Sequence, residues 1–367
     1  MPDILIVTFD AGGNVPLTLR LGRELRRRGN RVRVLDHEAQ RTSVDEAGLE
    51  FRVYRHSPAW TPHEGHGTWD LVTTMLAVMT NPGIGRDLLD AVREDPADLV
   101  LVDCMLFNAL DAAAREGLRH VVLVSSFYAC LDGMVRRGPF GIAARLGGLG
   151  PRRLWRQADL VLVCSDRGLD PAGGRTTQDR VVWTGAVHDA RRQAVGRTPP
   201  RVLVSLSTGG FPGQRRVLQN VLDAAEGMDV EFVVTTGPAV DPVGLRAPAN
   251  TTVHQYIPHN DVMPTCSAVI GHGGHGTTFR ALAHGLPMLI LPMSALTDQP
   301  MIGRTVAAAG AGKVLRKTAH PSRIRAALDE LLAAESYRTA AAALGDRLRA
   351  TDGASAAVDE LLALIDR

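Results

Sequence analysis

The sequence lacks the features that mark membrane, disulfide-stabilised and nucleic-acid-binding proteins. It contains no uninterrupted apolar run of about 18 residues, so no membrane span is expected. The net charge of +2 is nearly balanced, so the composition gives no reason to expect nucleic acid as a partner. The four cysteines are scattered without the paired spacing of metal ligands, which is typical of reduced thiols in a cytoplasmic protein; they are Cys104, Cys130, Cys164 and Cys266.

Two further patterns are missing near the start of the chain. Met1 leads at once into a strand-like run, without the basic and apolar regions of a secretory signal, so we expect a cytoplasmic protein. The loop after this strand has no Gly-x-Gly-x-x-Gly fingerprint, which argues against a nicotinamide or flavin enzyme. Arginine far outnumbers lysine, and arginines crowd one predicted helix between Arg23 and Arg28; a solvated helix face is favoured there over a nucleic-acid patch.

Short apolar runs alternate with segments of helical spacing along most of the chain. A strand is predicted over residues 4–8, a helix over 17–25 and a strand over 31–35, and the alternation starts again with a strand over 201–205. Strands that alternate with helices predict parallel sheets covered on both faces, in which ligands bind at the carboxyl ends of the strands. Further strands are predicted over 98–102, 120–124, 160–164, 231–235, 252–256, 268–270 and 288–291, and further helices over 109–114, 217–225, 322–332 and 354–365.

A polar segment over residues 188–200, which ends in Pro-Pro, interrupts this alternation. We therefore predict an N-terminal domain over 1–190, a linker over 191–200 and a C-terminal domain over 201–350. The last residues, 351–367, are predicted to form a helix, for which packing back on the N-terminal domain is one option.

Two stretches in the N-terminal half lack clean periodicity. Residues 58–69 mix aromatic residues, histidines and prolines, and both a wall of a ligand site and a surface excursion remain open. His63 and His66 have too few companion ligands to form a metal site. Residues 127–149 are rich in Gly, Met and Arg and are interpreted as a second, mobile wall.

The stretch over residues 268–280 reads as a strand, a glycine turn and a helix start. Such a turn exposes unpaired backbone N–H groups and the positive end of the helix dipole, which together attract phosphate. Thr277 and Thr278 add hydroxyl donors where the helix begins, and His272 adds a ring donor. The alternative is a glycine turn that satisfies only its own backbone, but the His and Thr residues favour a diphosphate cradle. Asp298 and Gln299, at the start of the next helical segment, can grip sugar hydroxyls beside it.

A family resemblance follows from these residues. Residues 272–287 read His-Gly-Gly-His-Gly-Thr-Thr-Phe-Arg-Ala-Leu-Ala-His-Gly-Leu-Pro and, with the later Pro292 and Asp298-Gln299, resemble the nucleotide-sugar signature of the UDP-glycosyltransferase superfamily. The nearest type is the actinobacterial natural-product glycosyltransferases. The resemblance covers nearly the whole chain and is most specific in the C-terminal half. It implies an α/β GT-B fold of two Rossmann-like, doubly wound parallel-sheet domains that face each other across a cleft, with the acceptor in the N-terminal domain and the donor in the C-terminal one.

The family's activity is the inverting, metal-independent transfer of a sugar. The resemblance implies a dTDP- or UDP-sugar as co-substrate, no other cofactor, and a small polyketide-like or phenolic acceptor; the protein is expected to be a monomer or homodimer. Two alternatives stay open: a catalytically impaired relative that binds the donor and acts as a partner or regulator, and another GT-B enzyme such as a nucleotide-sugar epimerase.

The resemblance also assigns roles to residues. The diphosphate would be held by Thr208, His272, Gly274, Gly276, Thr277 and Thr278, the nucleotide base by Tyr256 and Ile257, and the donor sugar by Asp298 and Gln299. For the acceptor, which the family holds in its N-terminal domain, the stretch 58–69 offers Trp60, His63, His66 and Trp69. Arg280 stands where many UDP-sugar enzymes have a ribose-gripping glutamate. Loss of that grip suits a deoxyribose, which favours dTDP-sugars.

One family residue is missing. Aligned on Pro16, the position of the usual catalytic histidine is Gly13, although Asp103 matches the aspartate that orients this histidine. Asp10 is the best substitute base by position, but an aspartate in a turn more commonly bonds backbone N–H groups of its own loop. His37, His63 or His66 as the base, and an acceptor that is already ionised, are further alternatives.

Overall fold

The structure is a computed structural model and describes residues 1–60, 68–175, 180–190, 193–195 and 197–367, with the backbone alone for residues 68–72. The chain divides into two compact units. The described parts of Met1–Thr61 and Trp69–Val187 form the first unit together with Asp352–Arg367, and His188–Thr351 belongs to the second.

The first unit is built on a seven-stranded parallel sheet. Its strands are β1 (Asp3–Val7), β2 (Arg31–Asp36), β3 (Glu50–Val53), β4 (Leu99–Asp103), β5 (His120–Val124), β6 (Leu160–Val163) and β7 (Val181–Trp183). Their order is β3-β2-β1-β4-β5-β6-β7, and every pairing is parallel. The first six strands have the doubly wound order of dinucleotide-binding folds.

The helices of this unit cover both faces of the sheet. They are α1 (Val15–Arg27), α2 (Arg41–Glu46), α3 (Thr68–Met79), α4 (Pro82–Glu94), α5 (Phe107–Arg115), α6 (Tyr128–Arg137), α7 (Pro139–Leu146) and α8 (Pro151–Gln157). Because successive strand residues point to opposite faces, β1 gives Leu5 and Val7 to one apolar cluster and Ile4 and Ile6 to the other. The segment predicted to be a mobile wall, residues 127–149, holds two helices, which are separated by the capping residue Gly138.

The second unit has a six-stranded parallel sheet. Its strands are β8 (Arg201–Ser205), β9 (Glu231–Thr235), β10 (Thr251–His254), β11 (Ala268–Gly271), β12 (Met288–Ile290) and β13 (Gly312–Val314), in the order β10-β9-β8-β11-β12-β13. The helices are α9 (Gln214–Ala225), α10 (His259–Val262), α11 (His275–Ala283), α12 (Gln299–Ala308), α13 (Pro321–Ala333) and α14 (Glu335–Arg349). On one face of this sheet, α9 and α13 bury their apolar sides against β8 and β11. The helix α14 is absent from the elements predicted above.

The last helix, α15 (Gly353–Ile365), belongs to the first unit. Its apolar side, including Val358, joins the cluster that contains Ile4 and Ile6. Arg28, from the arginine-rich end of α1, pairs with Asp359 and donates to the Ser355 carbonyl at 3.0 Å. Part of the predicted solvated arginine face therefore anchors this helix. Within the described part of the chain, no helix combines the length and apolarity needed to cross a membrane.

Candidate active site

Both sheets reverse their strand order at one point, and the predicted site residues stand at these points. The reversal lies between β1 and β4 in the first sheet and between β8 and β11 in the second. In open α/β sheets, ligands bind outside the carboxyl ends of the strands at such a point. Asp10 follows β1 and Asp103 ends β4, while Thr208 follows β8 and His272 follows β11.

Asn14 ties together the loop that follows β1. Its Oδ1 accepts a hydrogen bond from the Ala11 N–H at 2.9 Å, and its Nδ2 donates to the Phe9 carbonyl at 2.7 Å and to Asp103 Oδ2 at 3.1 Å. The residue that touches Asp103 is thus Asn14, one position beyond the glycine where the histidine was expected. A neutral amide holds the aspartate here, and an amide is not a base.

Asp103 is buried at the end of β4. Burial raises its pKa to about 6, although hydrogen bonds from the Met105 N–H and the Asn14 amide act in the opposite direction. The carboxyl group is therefore mainly ionised at neutral pH and accepts both of these hydrogen bonds. It serves to fix the loop after β1 in place.

Asp10 lies in the same loop and is 6 % exposed. Its Oδ1 accepts from the Gly12 N–H at 2.6 Å, and its Oδ2 accepts from Gln40 Nε2 at 2.9 Å. The first contact is the loop cap that aspartates commonly make in turns. Each carboxylate oxygen has a second lone pair, so a proton-accepting role is compatible with both contacts.

The predicted acceptor residues have different surroundings. Trp60 is buried against Phe9, with ring centroids 6.3 Å apart, and its indole N–H donates to the Asp10 carbonyl at 2.5 Å. It therefore supports the loop after β1 from the interior. His63 and His66 lie outside the described residues, and Trp69 is described only by its backbone in α3.

His37, one of the alternative bases, is buried at the end of β2. Its Nε2 lies 3.0 Å from Ser57 Oγ, and its ring stands edge-on to Tyr54 with centroids 4.9 Å apart. Both contacts fix the ring in the packing of this unit.

In the second unit, the predicted strand, glycine turn and helix are present as β11, residues 272–274 and α11. The turn needs its glycines. Gly273 has φ +83°, and a Cβ there would lie 2.9 Å from the Gln299 carbonyl oxygen. A Cβ at Gly274 would lie 2.2 Å from His272 Nε2, because the imidazole folds over this residue. Glycine therefore allows the His272 ring to lie against the start of α11.

His272 is neutral at physiological pH. It is 9 % exposed, and burial lowers its pKa to about 4. Its Nδ1 is buried and makes no hydrogen bond of regular geometry with a described residue, although the nearby Ser205 backbone acts on the ring in the direction that raises its pKa. A helix N-terminus attracts anions, and the His272 ring lies beside one, so the start of α11 is a candidate place for an anionic ligand.

The two threonines of α11 differ in access. Thr278 is fully buried, and its hydroxyl has no hydrogen-bond partner among the described residues. A ligand outside the turn does not reach this hydroxyl in the present conformation. Thr277 is partly exposed, and nothing lies within 4 Å of a Cβ placed at Gly276. The accessible edge of the helix start is therefore formed by Gly276 and Thr277.

The loop after β12 ends at Asp298 and Gln299, which begin α12. The side-chain Oε1 of Gln299 accepts from the N–H groups of Met293 at 2.7 Å and Ser294 at 3.2 Å. Its acceptor oxygen thus shapes the loop, and its amide N–H₂ remains the group suited to a sugar hydroxyl. Asp298 is partly exposed at the N-cap of α12.

The two residues that are predicted to contact the nucleotide base follow β10. Tyr256 is 75 % exposed, and Ile257 beside it is partly buried. A large exposed aromatic ring at a strand end is suited to stacking. Thr208 is also exposed, in the loop after β8. Among the residues that the structure describes, no group of three His, Cys, Asp or Glu side chains could hold a metal ion.

Two family models match the chain. The Erythromycin biosynthesis protein CIII-like C-terminal domain matches residues 219–364, and the Glycosyl transferase 4-like domain matches residues 12–182. Among curated proteins, the 4'-demethylrebeccamycin synthase of Lentzea aerocolonigenes is 26 % identical over 424 residues, which cover 99 % of this chain and 99 % of that protein.

Solved structures match over the full length. The calicheamicin glycosyltransferase CalG4 has a TM-score of 0.80 and 24 % identity, covering 100 % of this chain and 99 % of that one. The glycosyltransferase VinC, solved in complex with dTDP, has a TM-score of 0.75 and 20 % identity, covering 100 % of both chains. The chain has the GT-B fold and is a glycosyltransferase. The predicted family resemblance, fold class and type of enzyme are confirmed.

Three residues near the predicted site positions were not among the residues singled out from the sequence: Asn14, His259 and Asn260. Asn14 gave no signal because it lies beside the aligned position. Asn260, on α10, has a buried side-chain oxygen without a partner among the described residues. His259 next to it is partly buried, and burial, followed by the charges of Arg280 and His272, lowers its pKa to about 4. Their location two to three residues after the predicted Tyr256-Ile257 pair was the available signal.

Proposed function

We propose that this glycosyltransferase moves a sugar or deoxysugar from a dTDP-sugar, or from a UDP-sugar, to a small polyketide-like or phenolic natural product. The similarity to the 4'-demethylrebeccamycin synthase and to the calicheamicin glycosyltransferase CalG4 supports a natural-product acceptor. The dTDP bound to VinC supports the choice of nucleotide. The observation that carries the proposal is the start of α11, where the accessible edge of Gly276 and Thr277 lies beside the His272 ring after a glycine turn.

The donor is assigned to the C-terminal domain, residues 201–350. The N–H groups at the start of α11, the neutral His272 ring and the Thr277 hydroxyl bind the diphosphate, with Thr208 contributing from the loop after β8. A helix N-terminus carries about half a positive charge and is an established type of phosphate site. Transfer is proposed to need no metal, because this dipole and the ring donor stabilise the leaving diphosphate.

The base and the sugar lie on either side of the diphosphate in this assignment. Tyr256 stacks on the nucleotide base, beside Ile257. Asp298 accepts from sugar hydroxyls, and the Gln299 amide donates to them. The transfer inverts the sugar carbon, because the acceptor attacks the face opposite the leaving group.

The acceptor is assigned to the N-terminal domain, residues 1–190. Asp10 takes the acceptor's proton, and Asp103 with Asn14 holds the loop that presents it. A carboxylate is a weak base for an alcohol but an adequate one for a phenol, so acidic acceptors suit this site. The surroundings of Trp60 support an indirect role, in which it holds the Asp10 loop.

The proposal is tested by turnover. The purified protein is incubated with dTDP- and UDP-sugars and with phenolic and polyketide acceptors, and products are detected by mass spectrometry. We expect a glycosylated acceptor and free nucleoside diphosphate. Nucleotide binding without product over the whole panel would contradict transfer. Conversion of the nucleotide sugar with no acceptor present would indicate an epimerase instead.

A substitution of His272 tests whether this residue contributes to donor binding and to transfer. His272→Ala is expected to weaken dTDP binding about 10-fold or more, the value of a hydrogen bond to a charged group, and to lower the transfer rate. His320→Ala, at an exposed histidine that caps α13, is the control and should leave both unchanged. Calorimetry and initial rates measure the two effects, and unaltered kinetics in His272→Ala would exclude the assigned role.

A further inference from the structure

Arg280 is a cation on the helix of the donor cradle. It is the sixth residue of α11, so it shares a helix face with Gly276 and Thr277, four and three residues earlier. Side chains on a helix lean toward its N-terminus, so we expect the long arginine side chain to reach back toward this edge. Because a Cβ at Gly276 would meet nothing within 4 Å, the path is open.

The Arg280 guanidinium group interacts electrostatically with Asp189. Its Nε is shielded from solvent and has no hydrogen-bond partner among the described residues. A buried charge is costly unless it is paired, and such groups are usually hydrogen-bonded. An unpaired guanidinium N–H on the helix that follows His272 indicates a polar ligand with an anionic part.

The charges around this group support an anion. Burial lowers the pKa of Arg280, while the charges of Asp189 and Tyr256 raise it, and a guanidinium remains protonated in proteins. His259 and His272 are both neutral at physiological pH, since their pKa values are lowered to about 4. Among these three side chains, Arg280 alone supplies a full positive charge to a donor.

We propose that Arg280 pairs with the diphosphate of the sugar donor and stabilises the negative charge that builds on it during transfer. In that step the bond between the sugar carbon and the diphosphate oxygen breaks, and its electron pair goes to that oxygen. The acceptor atom bonds to the sugar carbon and gives its proton to Asp10. This inference rests on the proposed function. It assigns Arg280 a contact with the donor, whereas the comparison with the family indicated only that a ribose contact is lost at this position.

Three ligands with zero, one and two phosphate groups separate the contribution of the diphosphate to binding from that of the nucleoside. Thymidine, dTMP and dTDP are titrated by calorimetry into the full chain and into Arg280→Ala. We expect dTDP binding to weaken about 10- to 100-fold, as for a charge-assisted hydrogen bond, with a smaller effect on dTMP and none on thymidine. Equal weakening of all three ligands, or of none, overturns the proposal. So does a failure of the unaltered chain to bind dTDP more tightly than thymidine.

Two further variants distinguish a role of Arg280 in dTDP binding from a role in stabilising the fold. Arg280→Lys should recover part of the dTDP affinity, because it restores the charge without the planar fork. Arg280→Met should leave the thermal midpoint of the ligand-free protein unchanged or raise it, since the unpaired Nε leaves no hydrogen-bond partner behind; a drop would show that Arg280 supports the fold. Arg323→Ala, at an exposed arginine of α13, is the matched control.

The titrations with thymidine, dTMP and dTDP require neither an acceptor nor turnover. A chain that binds dTDP through Arg280 but transfers no sugar would contradict the proposed function and leave this inference standing. A chain that transfers sugar with unchanged dTDP affinity in Arg280→Ala would do the reverse. In an active enzyme, the loss in Arg280→Ala should appear in kcat as well as in KM, because the charge is greatest in the transition state.

Discussion

Asn14 joins three parts of the first unit through one amide: its own loop, the end of β1 and the carboxyl group of Asp103 at the end of β4. The histidine that the family places beside this aspartate is absent, and the hydrogen-bonding position is filled by a side chain that cannot take a proton. The basic group has to come from elsewhere, and Asp10, whose carboxylate shares the loop, is our candidate.

Replacement of the candidate base gives the first test at this scale. Asp10→Asn is expected to lower the transfer rate by at least about 100-fold, within the usual range for loss of a general base, while dTDP affinity is retained. Initial rates and calorimetry measure the two quantities. Gln40→Ala is the control, because it removes the donor to Asp10 Oδ2 but keeps the carboxylate, and it should retain most of the activity. Near-normal turnover of Asp10→Asn would rule the assignment out.

The helix α15 is the last element of the chain, yet its apolar side lies in the core of the first unit. Asp352 starts the helix by accepting from the Ala354 and Ser355 N–H groups, and Arg28 of α1 binds its first turns. The amphipathic pattern predicted a helix here but left its partner open. The partner depends on contacts more than 300 residues away along the chain, as the Arg28–Ser355 separation of 327 residues shows.

A paired substitution on α15 tests this packing. Val358→Asp places an unpaired carboxylate in the cluster with Ile4 and Ile6 and should lower the free energy of unfolding of the first unit by about 3 kcal/mol or more. Ala363→Asp, on the exposed side of the same helix, should change it by less than about 0.5 kcal/mol. Urea unfolding followed by tryptophan fluorescence is the measurement, since all four tryptophans fall within the ranges of the first unit. Equal effects of the two variants would contradict the packing.

At the scale of the whole molecule, burial shifts the pKa values of the two units in opposite directions: it lowers those of two histidines in the second unit and raises those of two aspartates in the first. In the second unit, burial lowers the pKa values of His272 to about 4 and of His275 to about 3. In the first, burial raises the pKa values of Asp36 and Asp103 to about 6. The histidines are neutral when folded and take up protons when unfolded, whereas the carboxyl groups hold their protons more tightly when folded.

These shifts predict opposite responses to acid. As pH falls from about 6.5 to about 4, the unfolded second unit binds protons that the folded one does not, so its stability falls. Over about pH 4 to 6, the contribution of Asp36 and Asp103 to the first unit is largest at the acid end and is lost as pH rises. Between pH 6.5 and 4.5, the urea midpoint by far-UV circular dichroism, which reports both units, should therefore fall more than the midpoint by tryptophan fluorescence.

A variant with one fewer histidine is the control for this prediction. His275→Phe keeps an aromatic ring beside Phe279, from which the imidazole centroid is 4.3 Å away, and removes one titrating group. It should lessen the loss of stability in acid. Identical shifts of the two midpoints, or an unchanged response in this variant, would contradict the assignment of acid sensitivity to the second unit.

The sequence by itself determined the type and place of most elements, because helix and strand periods, glycine turns and helix starts are local patterns. It located the phosphate-type turn at residues 272–274 and the carboxylates at the ends of β1 and β4. Other local patterns were too weak: residues 127–149, interpreted as a mobile wall because they lack clean periodicity, contain two successive helices, and Gly138 caps the first of them.

Tertiary structure alone decided which side chains meet and which stay unpaired. The partner of Asp103 is Asn14, which lies 89 residues away along the chain. Burial separates the hidden hydroxyl of Thr278 from the accessible Thr277, and it leaves Arg280 Nε without a hydrogen-bond partner among the described residues. These properties depend on the packing of distant segments and on the exclusion of water. A linear pattern contains neither kind of information. The glycine turn before α11 could therefore be located from the sequence, but the exposure and the partners of its side chains could not.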